Sequence, residues 1–431
     1  MREGNSCVVT GRKGRSVIDR PTPEVGELGR HSSAMRAAVE RARREIPFYT
    51  AHHGNCSSGD FFSLPTCNKS DLRKFGRLPL SAGPMSDMVR VSATSGTTGE
   101  RLFVGYSEAD WRAIREQYVR IGRCVGVRDT DVLLNTHGGG LWIGQASLDE
   151  LAHGAGAGIV PCGPTGARQV IDWLHELPIT LISATPSYMR LLVETAENTD
   201  RDLSDLSLRI GFLGGEGSSR ALKHNVCAAL ADGFRWQEGY GSTETGGPVL
   251  AFAPPCDPMG GRLNINTDYF VVELLHPEFD EPVAPGELGE ITLSTPYREC
   301  TVLIRYRTRD LAVSLPAERD ASGWPQITSV IGRIDDAIKV RGTLVYPSVI
   351  EDLLTERLAL GAEWRIEISR GLAESDRLSI CYEHADESLQ ESLSQSVYQR
   401  IGLKVDLTVL TPGALERFSG KARRVEDRRA S

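Results

Sequence analysis

A chain of 431 residues, 40% hydrophobic and 25% charged, has the make-up of a globular protein and the length for one large domain plus a smaller one, or for three. Its formal net charge of −8 excludes a protein that coats nucleic acid with a basic surface. No run nears the roughly 18 apolar residues of a membrane span, residues 1–21 lack the apolar core of a secretion signal, and nine scattered cysteines without a Cys-x-x-Cys pair suit a reducing cytoplasm better than a disulfide framework.

In chain order, residues 1–30 read as a polar lead-in. "SAMRAAVERARREIPFY" (33–49) has the spacing of an amphipathic helix that Pro47 brings to its end. Four apolar runs then predict buried strands: "DVLLNT" (131–136), "AGIVPC" (157–162), "ITLISAT" (179–185) and "LRIGFLG" (208–214). Helical patterns at 167–176, 187–197 and 219–231 lie between or after them. This rhythm predicts an α/β domain on a parallel or mixed sheet. From about 286 the pattern turns strand-rich, with "GELGEITLST" and "TVLIRYRT". After "GRIDD" (332–336) come a hairpin, a helix near 347–358, strands at 364–369 and 377–383, a second helix and a last strand near 403–410. The expected division is therefore a large unit, 1–333, and a small α+β unit, 334–431. The closing "KARRVEDRR" reads as a structural or catalytic tail.

Chemistry concentrates in a few stretches. The loop Ser95, Gly96, Thr97, Thr98, Gly99 combines glycine flexibility with hydroxyl donors, a cradle for phosphate. A P-loop would follow its second glycine with lysine, whereas Glu100 stands here, so a polar hairpin turn is an equal reading. "GFLGGEGSS" (211–219) leaves an apolar run as a strand-to-loop nucleotide contact would. "GYGSTETGG" (239–247) offers an aromatic face in Tyr240, a hydroxyl in Thr243 and a carboxylate for Mg²⁺ in Glu244. Asp310, in "IRYRTRDLA", could accept both hydroxyls of a ribose or pair with Arg307 or Arg309. Lys421, in "FSGKARRVEDRR", could act on a phosphate or sit in a solvated tail.

Taken in order, "IPFY", "LPTCNKSDLR", the Ser-Gly-Thr-Thr-Gly loop, "TPSYM", "YGSTE", "IRYRTRD", "GRIDD", "IKVRG", "VYPS" and "GKARRVEDRR" resemble the adenylate-forming enzymes, and within them phenylacetate–CoA ligase and its relatives. The resemblance spans about residues 35 to 429. It implies a large α/β adenylate-forming domain with mixed sheets and a small mobile α+β lid. It also implies ATP-dependent activation of a carboxylic acid, expected to be aromatic, to acyl-AMP and pyrophosphate, then transfer to the thiol of coenzyme A. By motif, Ser95 to Gly99 would hold the β- and γ-phosphates and Thr243 the α-phosphate. Glu244 would bind Mg²⁺, while Gly215 and Glu216 would flank the adenine beside Tyr240 and Gly241. Asp310 would hold the ribose and Arg333 would lie by the phosphates. Asp335 would mark the hinge, and Gly342 would swing in for the second half-reaction. Lys421 would bridge the substrate carboxylate and the α-phosphate.

Departures qualify the resemblance. Relatives carry cysteines and a histidine that together can hold zinc. Here Cys256 survives, Asn264 takes the histidine position and "PAERDASG" (316–323) has no cysteine, so no structural zinc is expected. The relatives' "YGYGLF" appears as "HGGGLW" (137–142), which gives the expected acyl pocket His137, Gly139 and Trp142. A structural, hydrogen-bonded His137 is the competing reading. Other readings are delivery to a carrier protein or amine, activation of an oxyanion such as nitrite, and a nucleotide-binding pseudoenzyme. A homodimer is expected by analogy alone.

Overall fold

Short runs of Val, Ile and Leu buried on both faces form parallel strands, and Val132–Asn135, Leu181–Ala184 and Ile210–Gly214 are the middle of a five-stranded parallel part of a twelve-stranded sheet. The computed structural model describes residues 31–54, 56, 61–94, 101–257, 260–319, 323–359, 361–370, 376–416 and 424–429. The loop Ser95 to Gly99, Lys421 and the lead-in 1–30 lie outside them. The parallel part runs Gly158–Pro161, Val132–Asn135, Leu181–Ala184, Ile210–Gly214, Arg235–Ser242. It continues antiparallel through Gly247–Phe252, Arg262–Ile265, Pro325–Thr328, Tyr306–Arg319, Leu288–Ser294 and Val271–Leu275, with Gly332–Arg333 paired to Tyr306–Arg319. The sheet is thus mixed.

The helices begin where side chains replace missing backbone partners. The hydroxyl of Thr185 accepts from the Tyr188 amide (3.2 Å) to start Pro186–Glu197, and that of Ser219 accepts from Leu222 (3.0 Å) to start Arg220–Ala228. Ser107 and Asp110 form a capping box for Glu108–Val125. None of the described helices is long and apolar enough to cross a membrane.

The small unit packs its own core, centred on Ile350, Leu354, Ile366, Leu378, Ile380 and Val397. Its hairpin joins Ile338–Val340 to Thr343–Val345 through Arg341 and Gly342, with φ of 48° and 86°. Two left-handed residues are what a tight primed turn needs. The helices Pro347–Arg357 and Gln390–Ile401 accompany a sheet ordered Asp406–Leu410, Asp376–Glu383, Trp364–Arg370, Val425–Asp427.

The first helix ends before Pro47 as expected: Ser32–Glu45 stops at an extended Ile46, and Pro47 in addition opens a second helix, Pro47–His53. Two local expectations change. Part of the closing tail is a strand, since Val425–Asp427 pairs parallel with Trp364–Arg370. In "TVLIRYRT" the long strand starts only at Tyr306. Upstream, hydroxyl groups take the amides that a ladder would use: Leu303 donates to Thr295 Oγ1 (2.9 Å), Ile304 to the Tyr49 hydroxyl (3.0 Å) and Arg305 to Ser294 Oγ (2.7 Å). Arg305 then turns through φ 45°. Its guanidinium, 2% exposed, holds Glu273 at 2.9 and 3.1 Å and the carbonyls of Phe62 and Leu64 at 2.6 Å each. That network over-determines an otherwise unfavourable backbone.

The Tyr49 hydroxyl also donates to the Val302 carbonyl at 3.1 Å, fully buried. Tyr49→Phe therefore strands an amide and a carbonyl and is expected to lower unfolding free energy by about 1–3 kcal/mol. Urea denaturation measures it, and an unchanged midpoint and slope would mean that these groups find other partners.

Candidate active site

Asp310 lies on Tyr306–Arg319 directly across from Arg333 in the register with Gly332–Arg333. Its carboxylate accepts from the Tyr240 hydroxyl (2.8 Å, Oδ2) and faces the Arg333 guanidinium (3.4 Å, Oδ1). Burial raises the Asp310 pKa, and the Arg333 charge and Tyr240 bond oppose that rise. The Tyr240 phenol is pushed well above its ordinary value by burial and then by Asp310. The neighbouring arginines are engaged elsewhere. Arg307 holds Glu290 and Asp280, and Arg309, at φ 68°, turns its Nε to Asp335 Oδ1 (3.0 Å). Asp310 thus pairs with Arg333 across the strand rather than with Arg307 or Arg309. Asp335 also lies 3.9 Å from Arg333, half-exposed.

Tyr240 belongs to Arg235–Ser242, and the turn after that strand carries Thr243 and Glu244. A Cβ at Gly241 would stand 2.1 Å from the Gly247 carbonyl, so only glycine lets the chain fold back so closely. Tyr106 donates to the Thr243 carbonyl and Arg298 to that of Thr245, while Thr245 Oγ1 accepts from the Ser242 amide (2.8 Å). Arg298 also lies over the Tyr106 ring at 5.1 Å. Glu244, 5% exposed, accepts from the Tyr306 hydroxyl (3.0 Å) and faces Lys69 Nζ at 3.6 Å, both on Oε1.

Lys69 and Tyr306 escape sequence reasoning, although both lie in quoted motifs, "LPTCNKSDLR" and "IRYRTRD". Lys69 opens the helix Lys69–Arg73 under a capping box of Asn68 and Asp71. Backbone bonds from Cys67 to the Arg305 carbonyl (3.1 Å) and from Arg307 to the Cys67 carbonyl (2.8 Å) stitch that segment to the start of the Tyr306 strand.

At the end of Ile210–Gly214, Gly215 is exposed with φ 87°, and Glu216 Oε1 accepts from the Ser187 amide (2.6 Å) in the first turn of Pro186–Glu197. Glu216 therefore also caps a helix. His137 follows Val132–Asn135, and its amide donates to Asn135 Oδ1 (3.2 Å). Burial lowers the ring's pKa from 6.5 to about 4, so the imidazole is neutral. Gly139 is exposed, and a Cβ there would meet Gln145 Oε1 at 2.2 Å. A larger residue at 139 thus requires Gln145 to swing away. Trp142, 56% exposed, precedes the helix Ile143–Ala155, and Leu141 accepts from the Ala93 amide (2.8 Å) at the end of Arg90–Ala93. That strand leads toward the Ser/Thr/Gly loop.

Gly342 does not join these groups; its hairpin tip is fixed by Arg341, which donates to the Lys404 carbonyl at 2.8 Å. Buried Asn264 accepts from Gln326 Nε2 (2.8 Å), and Cys256 is exposed. Among the described residues no group of three His, Cys, Asp or Glu could hold a metal ion.

Comparison with known proteins follows the same outline. Residues 38–301 match the AMP-binding enzyme family, and residues 342–429 match the AMP-binding enzyme C-terminal domain. The phenylacetate-coenzyme A ligase of Escherichia coli (strain K12) is 30% identical over 381 residues, 86% of this chain and 86% of that protein. The structure of 2-hydroxyisobutyryl-CoA ligase with 2-HIB-AMP in the postadenylation state superposes with a TM-score of 0.83 at 24% identity, covering 94% of this chain and 90% of that one. The same ligase with 2-HIB-AMP and CoA in the thioesterification state gives 0.66 at 25% identity, covering 93% and 89%.

The neutral His137 has a consequence for stability. Its folded pKa, about 4, lies below its ordinary 6.5, so the unfolded chain takes up the proton first as pH falls, and stability is lost between about 6.5 and 4. His53, lowered to about 4 by burial and then by Arg43 and His52, acts in the same window. His137→Asn is expected to flatten the pH dependence of unfolding free energy there, and His53→Asn to remove most of the remaining histidine contribution. A slope untouched by the first change would mean that the folded ring takes up its proton together with the unfolded chain.

Proposed function

The chain belongs to the AMP-binding enzyme family, and on that premise we propose that it is an ATP-dependent acid–thiol ligase. The observation that carries this reading is the pairing of two low-exposure carboxylates around one strand end. Asp310 lies between Tyr240 and Arg333, and Glu244 lies between Tyr306 and Lys69. A nucleoside triphosphate presents two hydroxyls and a chain of anionic oxygens, which call for an acceptor and a cation-rich end respectively. The name of the E. coli relative points to phenylacetate and coenzyme A, and an aromatic acid and coenzyme A are the substrates assigned here.

In this reading Asp310 accepts both ribose hydroxyls, and Gly215, Glu216, Tyr240 and Gly241 border the base. Thr243 and Arg333 contact the phosphates, and the Ser95 to Gly99 loop encloses the β- and γ-groups. Glu244 would hold Mg²⁺: a buried carboxylate is an oxygen donor suited to a hard dication. Bound there, the ion would offset charge on the phosphate oxygens. An oxygen of the acid attacks the α-phosphorus, the bond to the β-phosphate bridge breaks and pyrophosphate leaves. Lys421 offsets the charge as the two anions meet. The sulfur of coenzyme A then attacks the acyl carbon, the bond to AMP breaks and the thiol proton passes to solvent. We set the division between the units at 333/334, with Asp335 at the hinge and Gly342 brought in by lid rotation for the second step. His137, neutral, offers a hydrogen bond to the acid, and Trp142 an aromatic wall beside the space at Gly139. The eight described cysteines are free thiols, which suits a reducing compartment such as the cytoplasm.

A panel of aromatic acids read by pyrophosphate release tests this function, and release that never depends on an added acid would refute it. Within that assay Asp310→Asn is expected to lower kcat/KM for ATP by about one to two powers of ten, the equivalent of about 1.5–3 kcal/mol for a lost charge-assisted bond. Unchanged ATP kinetics would remove Asp310 from the ribose.

Lys421→Ala is expected to lose most acyl-AMP formation while still converting presynthesised acyl-AMP and coenzyme A to thioester. Equal loss in both steps would assign Lys421 to folding instead.

A further inference from the structure

Between the large and small units lies an ion cluster that the assigned roles leave unused. Arg190, on Pro186–Glu197, donates from NH2 to Glu363 Oε1 at 2.9 Å and faces Glu194 at 3.5 Å. Glu363 has a side chain only 4% exposed, and its other oxygen accepts from Arg424. Arg424 lies over the Trp364 ring at 4.6 Å and donates to the Trp364 carbonyl at 3.1 Å, and its own carbonyl accepts from the Ile366 amide (2.8 Å). One buried carboxylate is thus shared by an arginine of the large unit and an arginine at the entry to the last strand of the small unit. In sequence, only Ala422 and Arg423 separate Lys421 from Arg424.

We propose that Arg190 is a positioning residue for the first half-reaction: by gripping Glu363, and through it Arg424, it fixes the lid orientation in which Lys421 serves acyl-AMP formation. This rests on the function proposed above and names the contact that holds its first state. A carboxylate buried at the cost of its hydration needs both arginines, so rotation of the lid must break the Arg190 contact and re-expose both partners. The chain superposes better on the postadenylation arrangement of 2-hydroxyisobutyryl-CoA ligase, at 0.83, than on the thioesterification one, at 0.66. The Arg190–Glu363 contact is formed in the arrangement of the two units that this structure holds. Glu351 sits in the same cluster, its carboxyl pushed up to about 7 by burial and by Glu216 and Asp352, against the opposing charges of Arg424 and Arg190.

The test separates the two half-reactions in the full-length protein. Arg190→Ala should lower acyl-AMP formation, read as pyrophosphate release without coenzyme A, by up to about 10²-fold, the scale of a slight misplacement of a reacting group. Thioester formation from presynthesised acyl-AMP should change by less than about threefold, about 0.65 kcal/mol of barrier. Arg190→Lys, which keeps the charge but loses the planar fork, should recover part of the first step. Amide hydrogen exchange over 361–370 should quicken in Arg190→Ala without any substrate present. Equal loss in both half-reactions, or unchanged exchange, overturns the proposal. A wild-type protein that forms no acyl-AMP from any acid overturns the functional reading, and the exchange measurement then judges the contact by itself.

Discussion

A carboxylate withdrawn from water must be given back what it loses, and Asp310 is compensated from two directions at once. The Tyr240 hydroxyl reaches it from the strand Arg235–Ser242, and the Arg333 guanidinium from across the antiparallel pair. That single requirement ties three distant stretches together: the turn carrying Thr243 and Glu244, the long strand Tyr306–Arg319, and the last residues before the chain enters the small unit. Removing the Tyr240 hydroxyl would leave a mostly covered carboxylate facing only the exposed Arg333 guanidinium. The candidate site and the exit from the large sheet therefore depend on the same contact.

The "IRYRTRD" stretch distributes its arginines by the same logic. Arg305 serves Glu273 and two carbonyls deep in the large unit, Arg307 serves Glu290 and Asp280, and Arg309 turns out to Asp335. Each cation is matched before Asp310 is reached, which leaves that carboxylate to Tyr240 and Arg333. Two residues in this short run, Arg305 and Arg309, adopt positive φ. Strain there is held in place by the ion pairs on either side.

Much of the fold was legible because buried strands and amphipathic helices carry their own period. The runs at 131–136, 179–185 and 208–214 became strands, and 167–176 a helix, within a residue or two at their ends. Reading failed where tertiary partners overrode local preference. Nothing in "TVLIR" announces that hydroxyls of Tyr49, Ser294 and Thr295 will take its amides, and "RRVEDRR" looks polar until a neighbouring strand offers Val425 a ladder. The site divides in the same way. Tyr240, Thr243, Glu244 and Asp310 stand in glycine-rich or strand-end motifs whose chemistry shows in the residue types. Lys69 and Arg190 do not, since an ordinary lysine and an ordinary helical arginine acquire meaning only from a carboxylate far along the chain, 173 residues away for Arg190 and Glu363.

Glu216 closes the circuit between these parts. Its carboxylate receives the Ser187 amide at the start of the helix on which Arg190 stands one turn later. The edge of the proposed base site and the grip on the lid are thereby carried by one rigid rod. Ligand and lid then share a coupling free energy, which is reciprocal. Any factor by which a bound nucleotide strengthens the Arg190 contact is the factor by which that contact strengthens nucleotide binding.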